Sequence, residues 1–273
     1  MSRLRFLMCP PQHFGVEYVI NPWMEGQVHA TDSRLALDQW SRLHSLLSEQ
    51  AEVLSLPPVA GLPDLVFTAN AALVYKDTAL LSSFRFPERQ PESKHFASWL
   101  ESDGFRVHTL PPEVLFEGAG DALLDRLEPL IWLGHGMRSD VAAKEYLERA
   151  TGLEVQPLRL QDPNFYHLDT CFCPLEGGYL MYYPQAFDEP SRAAIEARVP
   201  EEKRIALSAA DARQFACNAV NIGGMAILNG ASPELIRRLN ECGFQVKTTP
   251  LTEFIRAGGA AKCLSLRLNE SCG

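Results

Sequence analysis

The chain has 273 residues, of which 46% are hydrophobic and 22% charged, so it carries enough apolar material for one large domain or two small ones. Its net charge of −9 and pI near 5.3 argue against nucleic acid or a membrane surface as a partner, since both favour a basic patch. The apolar run before Pro10 is too short for a signal peptide, no run approaches the ~20 residues that span a bilayer, and the seven cysteines fit no disulfide framework, so we expect a reduced cytoplasmic protein.

Strand-like and helix-like segments alternate along the chain in a regular order. An N-terminal strand over residues 4–11 comes first. Residues that favour strands flank turn residues and predict hairpins over 73–83 and 171–183. Apolar residues at helical spacing predict helices over 35–50, 91–105, 139–153, 189–200 and 232–244, with Ser139 as the cap of the third. A further strand follows each helix, over 52–58, 106–112, 154–160, 203–208 and 245–251.

The order strand, strand, helix, strand repeats along the chain. Asn70, Glu117, His167 and Asn218 hold equivalent positions in four similar stretches, at a period of roughly 50 residues that is typical of repeat architectures. About five units fit the length, and Cys263, in the expected last strand, would complete the unit that begins at the N-terminus. Five units that close on themselves form a ring whose equivalent residues face a central cavity. Because no segment resembles a linker, we predict one domain over residues 1–273.

The stretch FYHLDTCFC has the highest density of reactive side chains. If it is a strand, His167, Asp169, Cys171 and Cys173 alternate onto one face. Four alternate positions span about 20 Å, too far for one metal ion, and no CxxC or HExxH spacing occurs, so we predict no metal site. His167 and Asp169 alone, ~6–7 Å apart, could both reach one small planar ligand.

Two more stretches add charged groups. Glu117 is followed by Gly118 and Gly120, which let the backbone bend or approach a ligand closely. Its apolar neighbours favour a buried turn near a cavity over a solvated one. Arg138 lies on a glycine-containing loop and is either a surface charge or a clamp for a carboxylate.

Cys263 lies in the stretch GGAAKCLSLRL, which on its own favours a buried structural cysteine. The other units change that interpretation, because a Cys, a His and two carboxylates from different units indicate nucleophilic attack on a cationic substrate. A guanidinium fits, since it is planar, always charged and pairs bidentately with carboxylates, and its charge would lower the thiol pKa. Lys262 would point away in an extended segment, so we do not expect it to activate the thiol.

Five motifs together resemble the guanidino-group-modifying superfamily, which includes arginine deiminases, dimethylarginine dimethylaminohydrolases, glycine amidinotransferases and arginine dihydrolases. The motifs are FTAN (67–70), FEGAGD (116–121), GMRSD (136–140), HLDT (167–170) and the final Cys263. Their order and spacing cover nearly the whole chain. The resemblance implies an α/β fold, a five-bladed α/β propeller of ββαβ repeats with pseudo-fivefold symmetry (pentein-like), which agrees with the repeat.

The resemblance also implies a role for each matching residue. Cys263 matches the thiolate that attacks the guanidino carbon, and His167 matches the general acid/base that protonates the leaving amine and then activates water. Glu117 and Asp169 match the carboxylates that grip the guanidinium. From the same resemblance we expect substrate binding by Arg89 and Arg138 (substrate carboxylate), Asp64 (amino group), Asn21, Phe67, Asn70 and Ala257. It implies no cofactor.

Departures from the superfamily pattern separate its members. Asp169, two residues after the histidine, is typical of arginine-directed enzymes, whereas dimethylaminohydrolases have another residue there. Asn70 stands where deiminases have a carboxylate and, with Asn21, resembles the arginine dihydrolases, which convert arginine to ornithine, ammonia and carbon dioxide. We therefore expect a dihydrolase that works through a covalent thiouronium intermediate. A deiminase that gives citrulline, a dimethylarginine dimethylaminohydrolase, an amidinotransferase and a non-catalytic arginine-binding module are the alternatives.

The expected partner is a small molecule, arginine or a derivative of it, and homo-oligomerisation stays open. Four other cysteines lie in apolar runs and are assigned to packing: Cys171, Cys173, Cys217 and Cys242. Cys272, near the end of the sequence, is expected to be exposed.

Overall fold

The structure, a computed structural model, describes residues 3–270. These residues form five three-stranded sheets built in one way: an antiparallel pair of strands is extended by a third strand that runs parallel to the second. In every sheet the third strand follows a helix in the chain, so each unit, here called a blade, has the order ββαβ. The predicted repeat and the five-bladed α/β propeller are confirmed.

Blade 1 joins the two ends of the described chain, and blades 2 to 5 follow in sequence. In chain order the strands are β1 (Arg5–Met8), β2 (Glu52–Ser55), β3 (Ala72–Tyr75), β4 (Thr78–Leu81), β5 (Arg106–His108), β6 (Ala122–Leu124), β7 (Leu130–His135), β8 (Glu154–Arg159), β9 (Phe172–Leu175), β10 (Tyr179–Tyr182), β11 (Arg204–Ala206), β12 (Val220–Ile222), β13 (Met225–Leu228), β14 (Gln245–Thr248) and β15 (Leu266–Arg267). The sheets are β15-β1-β2, β3-β4-β5, β6-β7-β8, β9-β10-β11 and β12-β13-β14.

The helices agree with the predicted order, and two short ones add to it. In chain order they are α1 (Ser33–Ser48), α2 (Glu92–Ser102), α3 (Ala143–Thr151), α4 (Glu189–Arg198), α5 (Ala209–Arg213), α6 (Pro233–Glu241) and α7 (Thr252–Ile255). Asp32, Asp188 and Ser232 accept backbone hydrogen bonds at the starts of α1, α4 and α6. Gly152 ends α3 in the left-handed conformation (φ 72°) that glycine adopts without strain.

The inner strands are more deeply buried than the outer ones. Strands β6, β9 and β12, each the first of its blade, are buried at every position, whereas β2, β5 and β14, each the third, contain no buried residue. Trp132 of β7 packs against Phe172 of β9 with ring centroids 5.2 Å apart, which ties blade 3 to blade 4. The first strands therefore line the centre of the ring.

A tight turn precedes the first strand of each blade, and each turn carries one recurring polar residue. Asn70, Glu117, His167, Asn218 and Cys263 lie on these turns, one per blade. All five are at most 3% exposed. The centre of the ring is thus lined by one polar or nucleophilic side chain from each blade, as the repeat predicts.

Hydrogen bonds join these turns around the ring. Between blades 2 and 3, Asn70 donates to the Glu117 carbonyl (3.2 Å). Between blades 3 and 4, the Glu117 carboxylate bonds to the His167 imidazole (2.7 Å). Asn218 links blade 5 both to the Asp169 carbonyl of blade 4 (3.1 Å) and to the Cys263 sulfur of blade 1 (3.0 Å). The circle closes where the backbone N–H of residue 69 donates to the Cys263 carbonyl (3.1 Å).

The prediction that Cys263 lies in a strand is wrong. It lies in a turn over residues 261–264, and β15 begins only at Leu266. The Asn218 amide oxygen accepts the backbone N–H groups of both Ala260 and Cys263 (3.1 Å each), so these donors are not available to a sheet.

The predicted strand through His167 and Cys171 is also wrong at its start. Residues 168–170 form a 3₁₀ turn, and β9 begins at Phe172. Polar side chains bond to this backbone: the Thr170 hydroxyl donates to the His167 carbonyl (2.6 Å), and the Asp121 carboxylate accepts the N–H of residue 168 (3.0 Å). These local bonds satisfy groups that a strand would have paired.

Ser139 is not the cap of α3, which begins four residues later. Its hydroxyl is fully buried and donates to the Asp121 carboxylate (2.6 Å), and it accepts the backbone N–H of Glu117 (2.9 Å). A buried carboxylate is a better partner for this hydroxyl than a solvated helix end, because a buried acceptor without a donor is costly.

The six described cysteines are free thiols. Cys171, Cys173 and Cys217 are buried among apolar side chains, and Cys242 is partly buried, which agrees with their assignment to packing. Cys272 lies outside the described residues. Within the part of the chain that the structure describes, no helix is long and apolar enough to cross a membrane.

We expect Thr68→Val to lower the free energy of unfolding by about 1–3 kcal/mol, because it removes a fully buried hydrogen bond that ties the first turn of blade 2 to blade 1. The Thr68 hydroxyl donates to the Leu7 carbonyl (2.8 Å) and valine keeps its shape. Urea denaturation measures the change. Ser41→Ala on exposed α1 removes a hydroxyl bond within a helix and serves as the matched control; equal losses in both variants would contradict the role of the buried bond.

Candidate active site

A cavity with an empty volume of ≈ 260 Å³, part of which is open to solvent, lies at the centre of the ring. Most of the residues predicted to bind or attack a substrate line it: Asn21, Asp64, Phe67, Asn70, Arg89, Arg138, His167, Ala257 and Cys263. The two remaining predicted residues touch this set directly, because Glu117 bonds to His167 and Asp169 contacts Cys263. The structure therefore brings all eleven predicted residues together.

The Cys263 sulfur is contacted by two groups, one from blade 5 and one from blade 4. The Asn218 amide nitrogen donates to it (3.0 Å), and the Asp169 carboxylate oxygens lie 3.4 and 3.6 Å away. Burial, followed by the Asp169 charge, raises the pKa of this thiol well above its ordinary value, although the Asn218 amide and the Lys262 charge oppose the shift. The thiol therefore needs a positive charge beside it before it ionises at neutral pH.

Glu117 connects the imidazole to a guanidinium. Its carboxylate bonds to His167 Nε2 (2.7 Å) and accepts from Arg138 Nη1 (3.1 Å), and both partners are at most 3% exposed. Burial alone would raise the pKa of Glu117, but Arg138 and His167 outweigh it and hold the pKa well below its usual range. Glu117 is thus ionised at any physiological pH and fixes the orientation of the imidazole.

Arg138 is a buried group and not a surface charge. Its guanidinium lies against the rings of Phe86 and Tyr166, 4.6 Å from each centroid. Its second terminal nitrogen donates to the Ile20 carbonyl (2.8 Å). Of the two interpretations of this loop, the carboxylate clamp is the one that the structure supports, with Glu117 as the carboxylate.

Arg89 is the second buried guanidinium of the site. It forms a two-point ion pair with Glu92 (3.0 and 2.9 Å) and donates to the Asn70 amide oxygen (2.9 Å). The two opposite charges, one on α2 and one on the turn before it, neutralise each other through two hydrogen bonds, so the pair can be buried. The Asn70 oxygen is thereby fixed in orientation, and its amide nitrogen is fixed by the Glu117 carbonyl.

Asp64 lies at the rim of the same group of charges. One of its oxygens accepts from the Tyr18 hydroxyl (2.8 Å), while the other is buried and accepts no hydrogen bond from any described residue. Burial raises its pKa, and the Arg89 charge opposes this. A buried acceptor on the cavity wall has the chemistry to hold an ammonium group.

The segment before Cys263 packs too closely for side chains. A Cβ at Gly258 (φ 85°) would meet the Tyr166 hydroxyl at 2.6 Å, and one at Gly259 would meet the Phe67 ring at 2.5 Å. Asn21 donates to the Ala257 carbonyl (3.0 Å) and fixes the start of the segment. The two glycines therefore let this backbone form the wall of the cavity next to the thiol.

Sequence reasoning missed several residues that build the site. Asn218, Asp121, Glu92 and Tyr166 are all buried and hydrogen-bonded to predicted site residues or to the turns that carry them. Asn218 was recognisable, because it holds the equivalent repeat position in blade 5. Asp121 closes the FEGAGD motif and Glu92 stands three residues after Arg89, so both were also close to recognised positions. Tyr166 gave no signal, since its partner Gly258 is distant in the chain.

A metal centre finds no support among residues 3–270, where no three His, Cys, Asp or Glu side chains group as ligands. The arrangement instead combines a thiol, an imidazole on an ionised carboxylate, and a second carboxylate beside the sulfur. These are the parts of covalent catalysis by a cysteine with acid/base assistance. The fold and these motifs define a member of the guanidino-group-modifying superfamily.

Comparison with known proteins places the chain within that class. The family model for N,N dimethylarginine dimethylhydrolase, eukaryotic, matches residues 21–268, and the chain belongs to this family. It is 36% identical to the N(G),N(G)-dimethylarginine dimethylaminohydrolase of Mycobacterium tuberculosis, over 97% of this chain and 86% of that protein.

Similarity to arginine dihydrolases is higher. The chain is 55% identical to the bifunctional arginine dihydrolase/ornithine cyclodeaminase AgrE of Nostoc sp., over 98% of this chain but only 38% of that protein. The structure of the N-terminal domain of ArgZ, in a variant covalently bound to a reaction intermediate, superposes with a TM-score of 0.97 at 52% identity and covers 98% of both chains. The chain thus spans well under half the length of these bifunctional relatives.

We expect Cys263 to be alkylated slowly by iodoacetamide at pH 7, with a rate that keeps rising above pH 9, because its buried thiol has a raised pKa. Mass spectrometry of the labelled peptide across a pH series measures the rate. The Cys263→Ser variant distinguishes labelling of Cys263 from labelling of other cysteines, such as the partly buried Cys242. A plateau reached below pH 8 would show that the thiol is activated without a ligand.

Proposed function

We propose that this domain, predicted to extend over residues 1–273, is a cysteine-dependent hydrolase of the guanidino group of L-arginine and yields ornithine, ammonia and carbon dioxide. The observation that carries the proposal is the contact of the Cys263 thiol with the Asp169 carboxylate at 3.4 Å, beside the His167–Glu117 pair. A guanidinium placed over the sulfur satisfies the carboxylate and brings the positive charge that the thiol needs to ionise.

The first half of the reaction follows from these contacts. The Cys263 thiol loses its proton to solvent as the guanidinium binds, and its sulfur attacks the guanidino carbon. A C–S bond forms, and a C–N bond breaks as His167 supplies a proton to the leaving ammonia. His167 then takes a proton from water, and the resulting hydroxide attacks the same carbon of the thiouronium. Glu117 keeps the imidazole oriented through both proton transfers.

The hydrated intermediate then breaks its C–S bond, which releases the thiolate and leaves citrulline in the pocket, and departure of citrulline would end the reaction there. If citrulline stays bound, Cys263 attacks its ureido carbon, a C–S bond forms, and a second ammonia leaves with a proton from His167. Water then breaks the C–S bond of the thiocarbamate, and the resulting carbamate loses carbon dioxide to give ornithine. Over two rounds, arginine and two waters become ornithine, two ammonia molecules and carbon dioxide. Asn70 favours the second round in this proposal, because its neutral amide, fixed by Arg89, can hold a neutral ureido group. A carboxylate at this position would select for a cation instead. The 55% identity to an arginine dihydrolase supports this choice.

Binding of the amino-acid end is proposed for the rim of the cavity. The Asp64 oxygen that lacks a donor among residues 3–270 would accept the substrate ammonium. The substrate guanidinium would replace Arg138 as the partner of Glu117, and Arg138, together with Arg89, would then bind the substrate carboxylate. Phe67, Asn21 and Ala257 would shape the wall along the aliphatic chain.

A dimethylarginine dimethylaminohydrolase is the second candidate, favoured by the family model that matches residues 21–268. The Asp169 carboxylate beside the thiol favours an unmethylated guanidinium, because methylation of a terminal nitrogen removes N–H groups that could donate to it. Comparing kcat/KM for arginine and for asymmetric dimethylarginine on one preparation separates the two candidates; a ratio above ten in favour of the methylated substrate would reverse the proposal.

Products formed from arginine test the proposed outcome. We expect mass spectrometry to find ornithine, with two ammonia molecules per arginine consumed, and we expect Asn70→Asp to shift the products toward citrulline. Cys263→Ser should lower turnover by at least about 10³-fold. Citrulline as the sole stable product of the unaltered enzyme would contradict the dihydrolase proposal, and full ammonia release by the serine variant would contradict the nucleophile.

The pH dependence tests the role of Asp169. Burial raises the pKa of Asp169 to about 6, with Lys262 opposing the shift. Below pH 6 the carboxyl is neutral and no longer attracts a guanidinium, so we expect kcat/KM to fall about tenfold per pH unit there.

Two asparagine variants separate Asp169 from other groups. Asp169→Asn should have low kcat/KM without this acid limb. Asp121→Asn is the control, because burial also raises the pKa of Asp121 to about 6, yet Asp121 does not contact the thiol. If only the Asp121→Asn variant lost the acid limb, the limb would belong to Asp121, and the role given to Asp169 would be contradicted.

A further inference from the structure

A second cavity shares one wall with the thiol pocket. Its empty volume is ≈ 460 Å³, part of which is open to solvent, and Asp169, which contacts the Cys263 sulfur, is among its lining residues. Most of the other walls are apolar and include Leu123, Phe172 and Val220. The proposed reaction assigns no role to this cavity.

Charged groups in this cavity do not balance. Three cations line it, Arg126, Lys262 and Arg267, against two carboxylates, Asp169 and Glu270. Arg126 is ion-paired with Glu270, and the two side chains are only 11% and 10% exposed. The positive charge of one side chain is therefore left without a carboxylate partner inside the cavity.

Arg267 is the cation of this group that forms no ion pair with a described carboxylate, although the charges of Glu270 and Glu176 act on it at longer range. Its Nε and Nη1 atoms are buried and donate to none of the described residues, and the same holds for Nε of Arg126. Lys262 is partly satisfied, since its ammonium donates to the Ala119 carbonyl (3.3 Å). Buried guanidinium donors without acceptors are rare in folded proteins and mark a place where a polar partner is missing.

We propose that this second cavity binds a small carboxylate with an apolar body. The carboxylate would accept from the free donors of Arg267 and Arg126, and the body would lie against Leu123, Phe172 and Val220. A single negative charge matches the surplus of one cation, and an apolar body matches the walls better than phosphate or sulfate does.

The test compares two ligands of equal shape and different charge. We expect isothermal titration calorimetry of the full chain to show binding of butyrate. The neutral butyramide should bind at least about tenfold more weakly, because charge-assisted bonds to a buried guanidinium carry the affinity. Absence of butyrate binding up to tens of millimolar, or equal binding of both ligands, overturns the proposal.

Variants locate the bound carboxylate. Arg267→Gln should weaken butyrate by about tenfold or more, and Arg267→Lys, which keeps the charge and loses the forked donors, should weaken it less. Arg42→Gln, on an exposed ion pair, is the matched control and should leave binding unchanged. If Arg138→Gln abolishes binding and Arg267→Gln does not, the carboxylate binds in the thiol pocket and the proposal fails.

If Arg267→Gln does not fold, as judged by circular dichroism, the Arg267→Lys variant and the butyramide comparison decide the outcome. Unchanged butyrate affinity in a folded Arg267→Lys variant, together with equal butyramide binding, then counts against the site. The binding measurement needs no substrate turnover, so its result is independent of the proposed arginine hydrolysis.

Discussion

The circle of hydrogen bonds between the five turns is the constraint on which the rest of the structure depends. Each bond joins one blade to the next, and the groups that form it are buried, so none can exchange its partner for water without a large cost. The polar centre of the ring is therefore fixed by neighbours on both sides. The same residues that close the ring, among them Glu117, His167 and Cys263, are those that carry the proposed chemistry.

Buried charge at the centre is arranged in pairs that leave the thiol uncharged. Arg138 compensates Glu117, which also bonds to His167, and Arg89 compensates Glu92. Among the charges that act on the Cys263 thiol, that of Asp169 is the strongest and disfavours the thiolate, and the Lys262 charge opposes it more weakly. A cationic substrate is thus the missing partner on both counts, because it neutralises the carboxylate and stabilises the thiolate. Such an arrangement couples reactivity to the identity of the ligand and protects the thiol from unproductive chemistry.

Much of the fold follows from the sequence, because a repeated order of strands and helices leaves few ways to bury its apolar faces. The equivalent positions of Asn70, Glu117, His167 and Asn218 also predicted that these side chains would meet. The local conformation of Cys263 and His167 was not predictable in the same way. Both lie in turns held by side chains distant in sequence, Asn218 for one and Asp121 for the other, and no local pattern reports such bonds.

Blade 1 is built from both ends of the described chain, since β15 pairs with β1 in antiparallel register. Cys263 lies only three residues before β15, so the position of the nucleophile depends on the pairing of β15 with a strand from the other end of the described chain. Blades 2 to 5 are each formed by one continuous stretch, whereas the pocket has its thiol in place only when blade 1 is complete. Reactivity is therefore linked to closure of the ring, and a molecule in which blade 1 has opened would be inactive.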